Sequence, residues 1–243
     1  MVETTQSPGG LTFPRLMLQH AQTRPGKTAY REKDLGIWQS WNWLQVNQEV
    51  RALACGLAAQ GFQRGMHLAI VGDNRPRLYW AMLAAQCLGG IAVPLYQDAP
   101  AADMAYVLDN AEISFVVVED QEQVDKLLEL KAEYPGVAHI VYEDERGMRH
   151  YAQPELISYR KLQDLGRDYD NAHPTFFADA VNAAQHERQQ NRHALDTQLK
   201  IVGRVRADRH ESSRTERQLA AIAGQDVQSQ SCQRKYQERN QQG

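Results

Sequence analysis

The residue types best suited to chemistry stand just after short apolar runs. Gly72-Asp73-Asn74-Arg75-Pro76 follows the run Leu68 to Val71, and Pro76 sits where a helix would open. In open α/β sheets ligands gather beyond the carboxyl ends of strands, so a carboxylate, an amide and a guanidinium at that point could hold a polar ligand. The plainer alternative is that Asp73 or Asn74 caps the helix and Arg75 is solvated. Glu119-Asp120, after Ser114 to Val118, poses the same choice, with Asp120 explained as the cap of the next helix.

Other combinations carry less. Arg24-Pro25-Gly26-Lys27-Thr28 ends like a phosphate-binding loop, but Ala21 stands where the first Gly belongs. Here, too, a helix runs into a strand, the reverse of the order that aims a helix N-terminus at phosphate. No G-x-G-x-x-G occurs. His20, His67, His139, His150 and His173 lack metal-ligand spacing, and no Ser or Cys has a G-x-S-x-G setting. Cys55 and Cys87 lie in apolar helical stretches and read as buried thiols. Trp38, Trp41 and Trp43 could make a binding surface, but alternation splits them between faces, and packing is the simpler role. Residue types alone therefore nominate no catalytic, cofactor-binding or metal-binding set.

The elements that would position these residues are regular. Phe13, Leu16, Met17 and His20 recur at helical spacing up to Arg24-Pro25-Gly26. Thr28 to Lys33 and Ile37 to Trp41 predict a hairpin around Asp34-Leu35-Gly36. Asn42 can cap a helix striped by Trp43, Val46, Val50, Leu53 and Leu57 and closed by Gly61. Strands follow at Leu68 to Val71, Ile91 to Leu95, Ser114 to Val118 and Ala138 to Tyr142. Between them helices are expected from Pro76 to Leu88, over Ala102 to Asn110, and after Asp120, the last with Gln123 at its third position and Val124, Leu127, Leu128 and Leu130 on its face. Pro135-Gly136 is expected to stop it. Strands alternating with helices predict an α/β protein: an N-terminal helix and hairpin, then a doubly wound, mainly parallel sheet.

Composition sets the class and exposes a break. Hydrophobic residues make up 42% and charged residues 23%, enough to bury a core. Three scattered cysteines argue against a disulfide framework and fit a reducing cytosol. No stretch approaches the roughly 20 apolar residues of a membrane span, and Met1 to Gly10 lacks the order of a signal peptide. Residues 1–185 carry a net charge of −7, whereas 186–243 carry +4, with 9 Arg, 11 Gln and no Phe, Trp, Met or Pro. So little apolar surface cannot offset chain entropy, so residues 186–243 are expected to be disordered or non-native, as a frameshifted reading would be. Acids interleave with these arginines, and Tyr236 is the one aromatic among them, so no nucleic-acid partner is expected.

Several segments, in order, resemble one family. Ser40-Trp41-Asn42-Trp43-Leu44 is similar to the first core motif of adenylate-forming enzymes, where an acidic residue usually replaces Trp43. Ala84-Ala85-Gln86-Cys87-Leu88-Gly89-Gly90-Ile91-Ala92-Val93-Pro94-Leu95-Tyr96 resembles their second. Gly72-Asp73-Asn74-Arg75-Pro76 and the stretch from Val118 to Leu128 resemble long-chain acyl-CoA synthetases in particular, and Arg146-Gly147-Met148-Arg149 and Leu156 to Gly166 also fit. The resemblance spans about residues 11–183 and implies the N-terminal part of an AMP-binding domain. It implies that fatty acid and Mg-ATP give an acyl adenylate and pyrophosphate, after which CoA displaces AMP. ATP, Mg and CoA are the implied cofactors, and fatty acid and CoA the implied partners. A cytoplasmic location is expected, one that still allows peripheral membrane contact.

The departure is large. The family's phosphate loop, S-G-T-T-G-x-P-K-G, is expected soon after Asn182 and is not in the sequence, nor are the later nucleotide-binding motifs and the catalytic lysine. No catalytic, cofactor or metal residue of the family therefore maps onto this chain. It is expected to bind none of the cofactors tightly and to be inactive alone. The rival expectation is an inactive binding or interaction module, or a gene fragment.

Overall fold

The computed structural model describes residues 12–131 and 134–184. The expectation for residues 186–243 lies outside the described residues. Helix α1 (Phe13–Thr23) leads into the antiparallel hairpin β1 (Thr28–Asp34) and β2 (Ile37–Asn42), then α2 (Trp43–Ala59). Alternation follows: β3 (His67–Val71), α3 (Pro76–Cys87), β4 (Ile91–Leu95), α4 (Ala101–Asn110), β5 (Phe115–Val118), α5 (Gln121–Leu130) and β6 (His139–Tyr142). A 3-10 turn at Met148–His150 precedes β7 (Leu156–Ser158), α6 (Tyr159–Ala172) and α7 (Phe176–Ala183).

Strands β4-β3-β5-β6-β7 form one sheet in that order, every neighbouring pair parallel. The hairpin forms a separate two-stranded sheet. Helices cover both faces. Leu68 and Ile70 of β3 and Phe115 and Val117 of β5 pack with Leu53, Leu57, Ala81, Ala84 and Leu162 of α2, α3 and α6. The alternate residues Ala69, Val71, Val116 and Val118 meet Met104, Leu108, Val124, Leu127 and Leu130 of α4 and α5. Strands buried on both faces read as unbroken apolar runs, which is why Phe115-Val116-Val117-Val118 shows no polar alternation. The doubly wound parallel sheet is thus the observed fold.

Local signals act largely as expected. Asn42 and Gln45 cap α2 reciprocally, each side chain accepting the other's backbone N–H at 2.9 Å. Asp120 caps α5 by accepting from the Gln123 amide at 3.3 Å, but Gln123 does not reciprocate; its buried Oε1 has no partner. Helix α5 ends at Leu130, short of Pro135-Gly136. The Tyr134 N–H still donates to the Leu130 carbonyl at 2.8 Å, and Tyr134 packs against the core cluster of Leu127 and Leu130 just before Pro135. The hairpin turns through Leu35 and Gly36, both with positive φ (46° and 84°), the backbone of a two-residue type I′ turn.

Two of the three tryptophans pack as expected. Trp41 lies edge-on to Trp80 at 5.4 Å between ring centres, and Trp43 lies 4.6 Å from His20. Trp38 departs from the packing expectation: it is 57% exposed, because it sits on the hairpin face turned away from α3. Elements β7, α6 and α7 were not expected from periodicity. Their strand is three residues long, and α6 is strongly polar, burying a narrow stripe at Tyr159, Leu162, Gln163 and Gly166.

Candidate functional site: the carboxyl edge of the sheet

The strand order reverses between β3 and β5. From β3 the chain passes through α3 to β4 on one side, whereas from β5 it passes through α5 to β6 on the other. The two helices lie on opposite faces, so the loops after β3 and β5 part and leave a crevice, the place where open α/β sheets hold ligands. Gly72 to Arg75 and Glu119-Asp120 are those two loops. The sequence nominated them separately; the fold brings them together.

Glu119 organises the junction. Its side chain is largely buried. One carboxylate oxygen accepts from the Asp73 backbone N–H at 2.6 Å, and the other meets Nε of Arg75 at 2.7 Å. Gly72 permits the approach: a Cβ there would stand 2.6 Å from Cβ of Glu119 and 2.7 Å from Cδ1 of Leu78, and its φ of 151° disfavours other residues. Arg75 also faces Glu32 of the hairpin at 3.6 Å. The loop after β4 is tied in by Gln97, whose amide donates to Asp73 at 2.9 Å and whose carbonyl accepts from Lys126 Nζ at 2.8 Å.

These contacts correct the plainer expectations. Neither Asp73 nor Asn74 caps α3; the N-cap position is Arg75, without a side-chain cap, and Pro76 follows, whose missing N–H needs none. Asp73 instead accepts from Gln97, and Asn74 accepts from the Tyr79 hydroxyl at 3.1 Å. Arg75 is not simply solvated but lies between two carboxylates. Asp120 is a cap, as expected.

Beside this junction lies a cleft of about 570 Å³. Arg75 and Arg77 enter from the start of α3, Glu143 to Arg146 from the loop after β6, Asp34 and Leu35 from the hairpin, and Tyr159, Arg160 and Gln163 from α6. Arg77 pairs with Glu143, and Arg146 pairs with Asp144, with Nε to Oδ2 at 2.7 Å. The hydrogen bond from Arg146 holds the Asp144 carboxyl below its ordinary value. Buried Tyr159 donates to the Arg77 carbonyl at 3.2 Å, and burial pushes its phenol well up. The lining thus balances four arginines against four carboxylates. Glu143, Asp144, Glu145 and Arg77 carry no functional signal in the sequence, because loop and helix-start charges look alike until strands order them, and Arg146 and Gln163 enter only through segments that resemble the family.

Such a rim can orient a polar ligand through guanidinium and carboxylate groups. It does not fit a nucleoside triphosphate with its metal. Both oxygens of Glu119 are taken, Arg75, Arg77 and Arg146 are each paired, and no glycine-rich run opens a helix here. Among the described residues no group of three His, Cys, Asp or Glu gathers as a metal site, and no helix is long and apolar enough to cross a membrane. Cys55 and Cys87 are buried between helices, far from any nucleophile's role; burial pushes the Cys55 thiol up to about 12.

Comparison with known proteins places the fold. The family model described as AMP-binding enzyme matches residues 17–174. A long-chain-fatty-acid–CoA ligase of Xenopus laevis is 30% identical over 132 residues, 54% of this chain and 18% of its own. One from Mycobacterium tuberculosis is 24% identical over 128 residues, 52% of this chain and 21% of its own. The chain therefore spans about a fifth of the length of these two ligases. Among solved structures, acetoacetyl-CoA synthetase from Streptomyces lividans superposes with a TM-score of 0.56 at 20% identity, over 63% of this chain and 25% of its own. An anthranilate CoA ligase in complex with anthranoyl-AMP gives 0.57 at 18% identity, over 67% and 29%. The matched residues are those that build the parallel sheet and its switch point, and with them the chain belongs to the AMP-binding enzyme family.

Proposed function

We propose that residues 11–183 are the N-terminal part of an AMP-forming fatty-acid–CoA ligase domain, and that this chain by itself does not activate a carboxylate. The observation that carries this reading is the combination of a family match over residues 17–174 with residues after Asn182 that do not read S-G-T-T-G, where the resemblance places that loop. In the whole reaction a fatty acid, Mg-ATP and CoA give acyl-CoA, AMP and pyrophosphate. Carboxylate attack on the α-phosphate needs the triphosphate neutralised by metal and by preorganised N–H donors. The Glu119 junction supplies neither, and its part is to fix the strand ends against which a nucleotide-binding segment would be built. No catalytic, cofactor or metal residue is assigned to this chain, and its setting is the cytoplasm, where fatty acid and CoA are met.

Residues 186–243 enter this reading as a non-native tail. Their Arg-to-Lys imbalance and Gln richness resemble a GC-rich gene translated out of frame. Reading the nucleotide sequence after codon 185 in all three frames tests this directly: recovery of S-G-T-T-G supports it, and its absence from every frame removes it.

A second reading, an inactive binding module, draws on the charge-balanced cleft beside Arg75. Calorimetric titration with a non-hydrolysable acyl-adenylate analogue separates the two. The ligase-fragment reading expects no saturable heat, and a stoichiometric isotherm would favour the binding module.

A further inference from the structure

Strand β2 is a sheet edge without the devices that keep edges apart. In the hairpin sheet each strand has one free side. Strand β1 carries Arg31, Glu32, Lys33 and Asp34 in succession, and its register slips between Thr28 and Tyr30. Charge and bulges are what natural edges use against unwanted pairing. Strand β2 reads Ile37-Trp38-Gln39-Ser40-Trp41-Asn42, with no charge, no Pro and no Gly, and Ile37 to Ser40 are exposed. Ile37 is 66% exposed and Trp38 57%.

The turn fixes which backbone groups of β2 face outward. Leu35 and Gly36 form a two-residue turn, so Asp34 and Ile37 flanking it are a hydrogen-bonded pair, and such pairs alternate from there. Glu32 with Gln39 is the next. Lys33 with Trp38 and Arg31 with Ser40 are the non-hydrogen-bonded pairs between them, so the N–H and C=O of Trp38 and of Ser40 point away from β1. Among the described residues none of these groups has a hydrogen-bond partner.

We infer that β2 pairs antiparallel with β2 of a second copy of this chain, about a two-fold axis at Gln39. In that register Trp38 lies opposite Ser40 of the second copy and Ser40 opposite its Trp38. Both pairs exchange their outward hydrogen bonds. On the face turned toward α3, Ile37 comes to lie opposite Trp41 of the second copy, an aromatic–β-branched pair that covers the exposed isoleucine. A two-fold axis at Trp38 or at Ser40 would lose that pairing. The contact is isologous and closes at the dimer, and the enlarged sheet ends on the charged β1 strands, which are the protected ones. The uncharged strand thus complements itself. A strand this short buries well under the roughly 800 Å² per partner of a stable interface, so the dimer is a weak one. This inference does not depend on the ligase reading.

Sedimentation velocity of the full chain tests it, with self-association expected to rise across about 10–500 µM, as for a small interface. Ser40→Pro removes an outward N–H and keeps the ladder with β1. It should weaken association about 10-fold or more, one backbone hydrogen bond being lost from each copy, while the thermal melt is kept. Cysteine cross-linking reads the register in a Cys232→Ser background. Gln39→Cys sets two thiols across a non-hydrogen-bonded pair, with Cα atoms about 4.5 Å apart, and diamide should join them. Ser40→Cys leaves its two Cα atoms staggered by about 8–9 Å and should not cross-link. A chain that stays monomeric throughout, or a dimer indifferent to Ser40→Pro, overturns the inference. So do cross-links at Ser40→Cys that equal those at Gln39→Cys, which would assign the contact to another surface.

Discussion

Gly56 of α2 and Gly166 of α6 bring two helix backbones into contact. A Cβ on Gly166 would stand 2.6 Å from the Gly56 nitrogen and 1.8 Å from the Ala52 carbonyl oxygen, and one on Gly56 would stand 2.2 Å from the Leu162 carbonyl. The crossing fixes α6, and with it Tyr159, Arg160 and Gln163 on one wall of the cleft. In a free helix Gly→Ala gains about 1 kcal/mol. Here overpacking reverses the sign, and Gly166→Ala should lower unfolding stability by about 3 kcal/mol, with Gly56→Ala comparable. Urea midpoints measure both, and a stabilising Gly166→Ala would show that the helices are not in contact.

Glu119 should matter more than its ionic partner. Arg75→Ala removes the Glu119 pair and the looser 3.6 Å contact with Glu32 from a half-exposed guanidinium and should cost about 1–2 kcal/mol. Glu119→Ala removes the same pair and also orphans the Asp73 N–H, so about 3 kcal/mol is expected. The order of the two urea midpoints is the test; equal losses would mean that the backbone hydrogen bond contributes nothing.

Acid should destabilise the fold through two carboxylates. Hydrogen bonds from Arg146 and from Lys131 hold Asp144 and Glu155 below their ordinary values. A depressed folded value contributes stability above the unfolded values of 3.8 and 4.5 and loses it as pH falls through the folded ones. Asp144→Asn with Glu155→Gln should therefore flatten the stability curve below these values and lower it at neutral pH. An unchanged acid limb would contradict the pairing.

The buried thiols should be inert. With Cys232 replaced by Ser, a disulfide reagent at neutral pH should label neither Cys55 nor Cys87 until the chain unfolds. Burial first, then the nearby Asp170 carboxylate, raises Cys55 to about 12. A raised folded value contributes stability below the unfolded value of 9.0 and loses it as pH climbs toward 12, so alkaline melts should fall in step with labelling. Rapid labelling of folded protein would refute the burial.

Much of this architecture is legible residue by residue, and the failures have physical causes. The apolar runs at Leu68, Ile91 and Phe115 identify the central strands because both faces are buried. The glycine pair in the second core motif is readable afterward as packing: a Cβ on Gly90 would lie 2.5 Å from the Phe62 ring. What local sequence hides is pairing across distance. Arg75 and Glu119 are 44 residues apart by their numbering and meet through parallel register, Val71 beside Val118. Trp38 resembles Trp41 in the sequence, and only the hairpin's seat on Trp80 decides which one is covered. Strand β7 is too short to show a period at all.

ATP–pyrophosphate exchange with palmitate on the purified chain tests the central claim most directly. Each preorganised donor to a reacting oxyanion is worth about 10²–10³ in rate, and residues 183–243 contain no S-G-T-T-G to supply such donors. The expected result is no exchange above a heat-inactivated control. Heat-sensitive, palmitate-dependent exchange would contradict the account and would assign chemistry to Asp73, Arg75 or the arginines after residue 185.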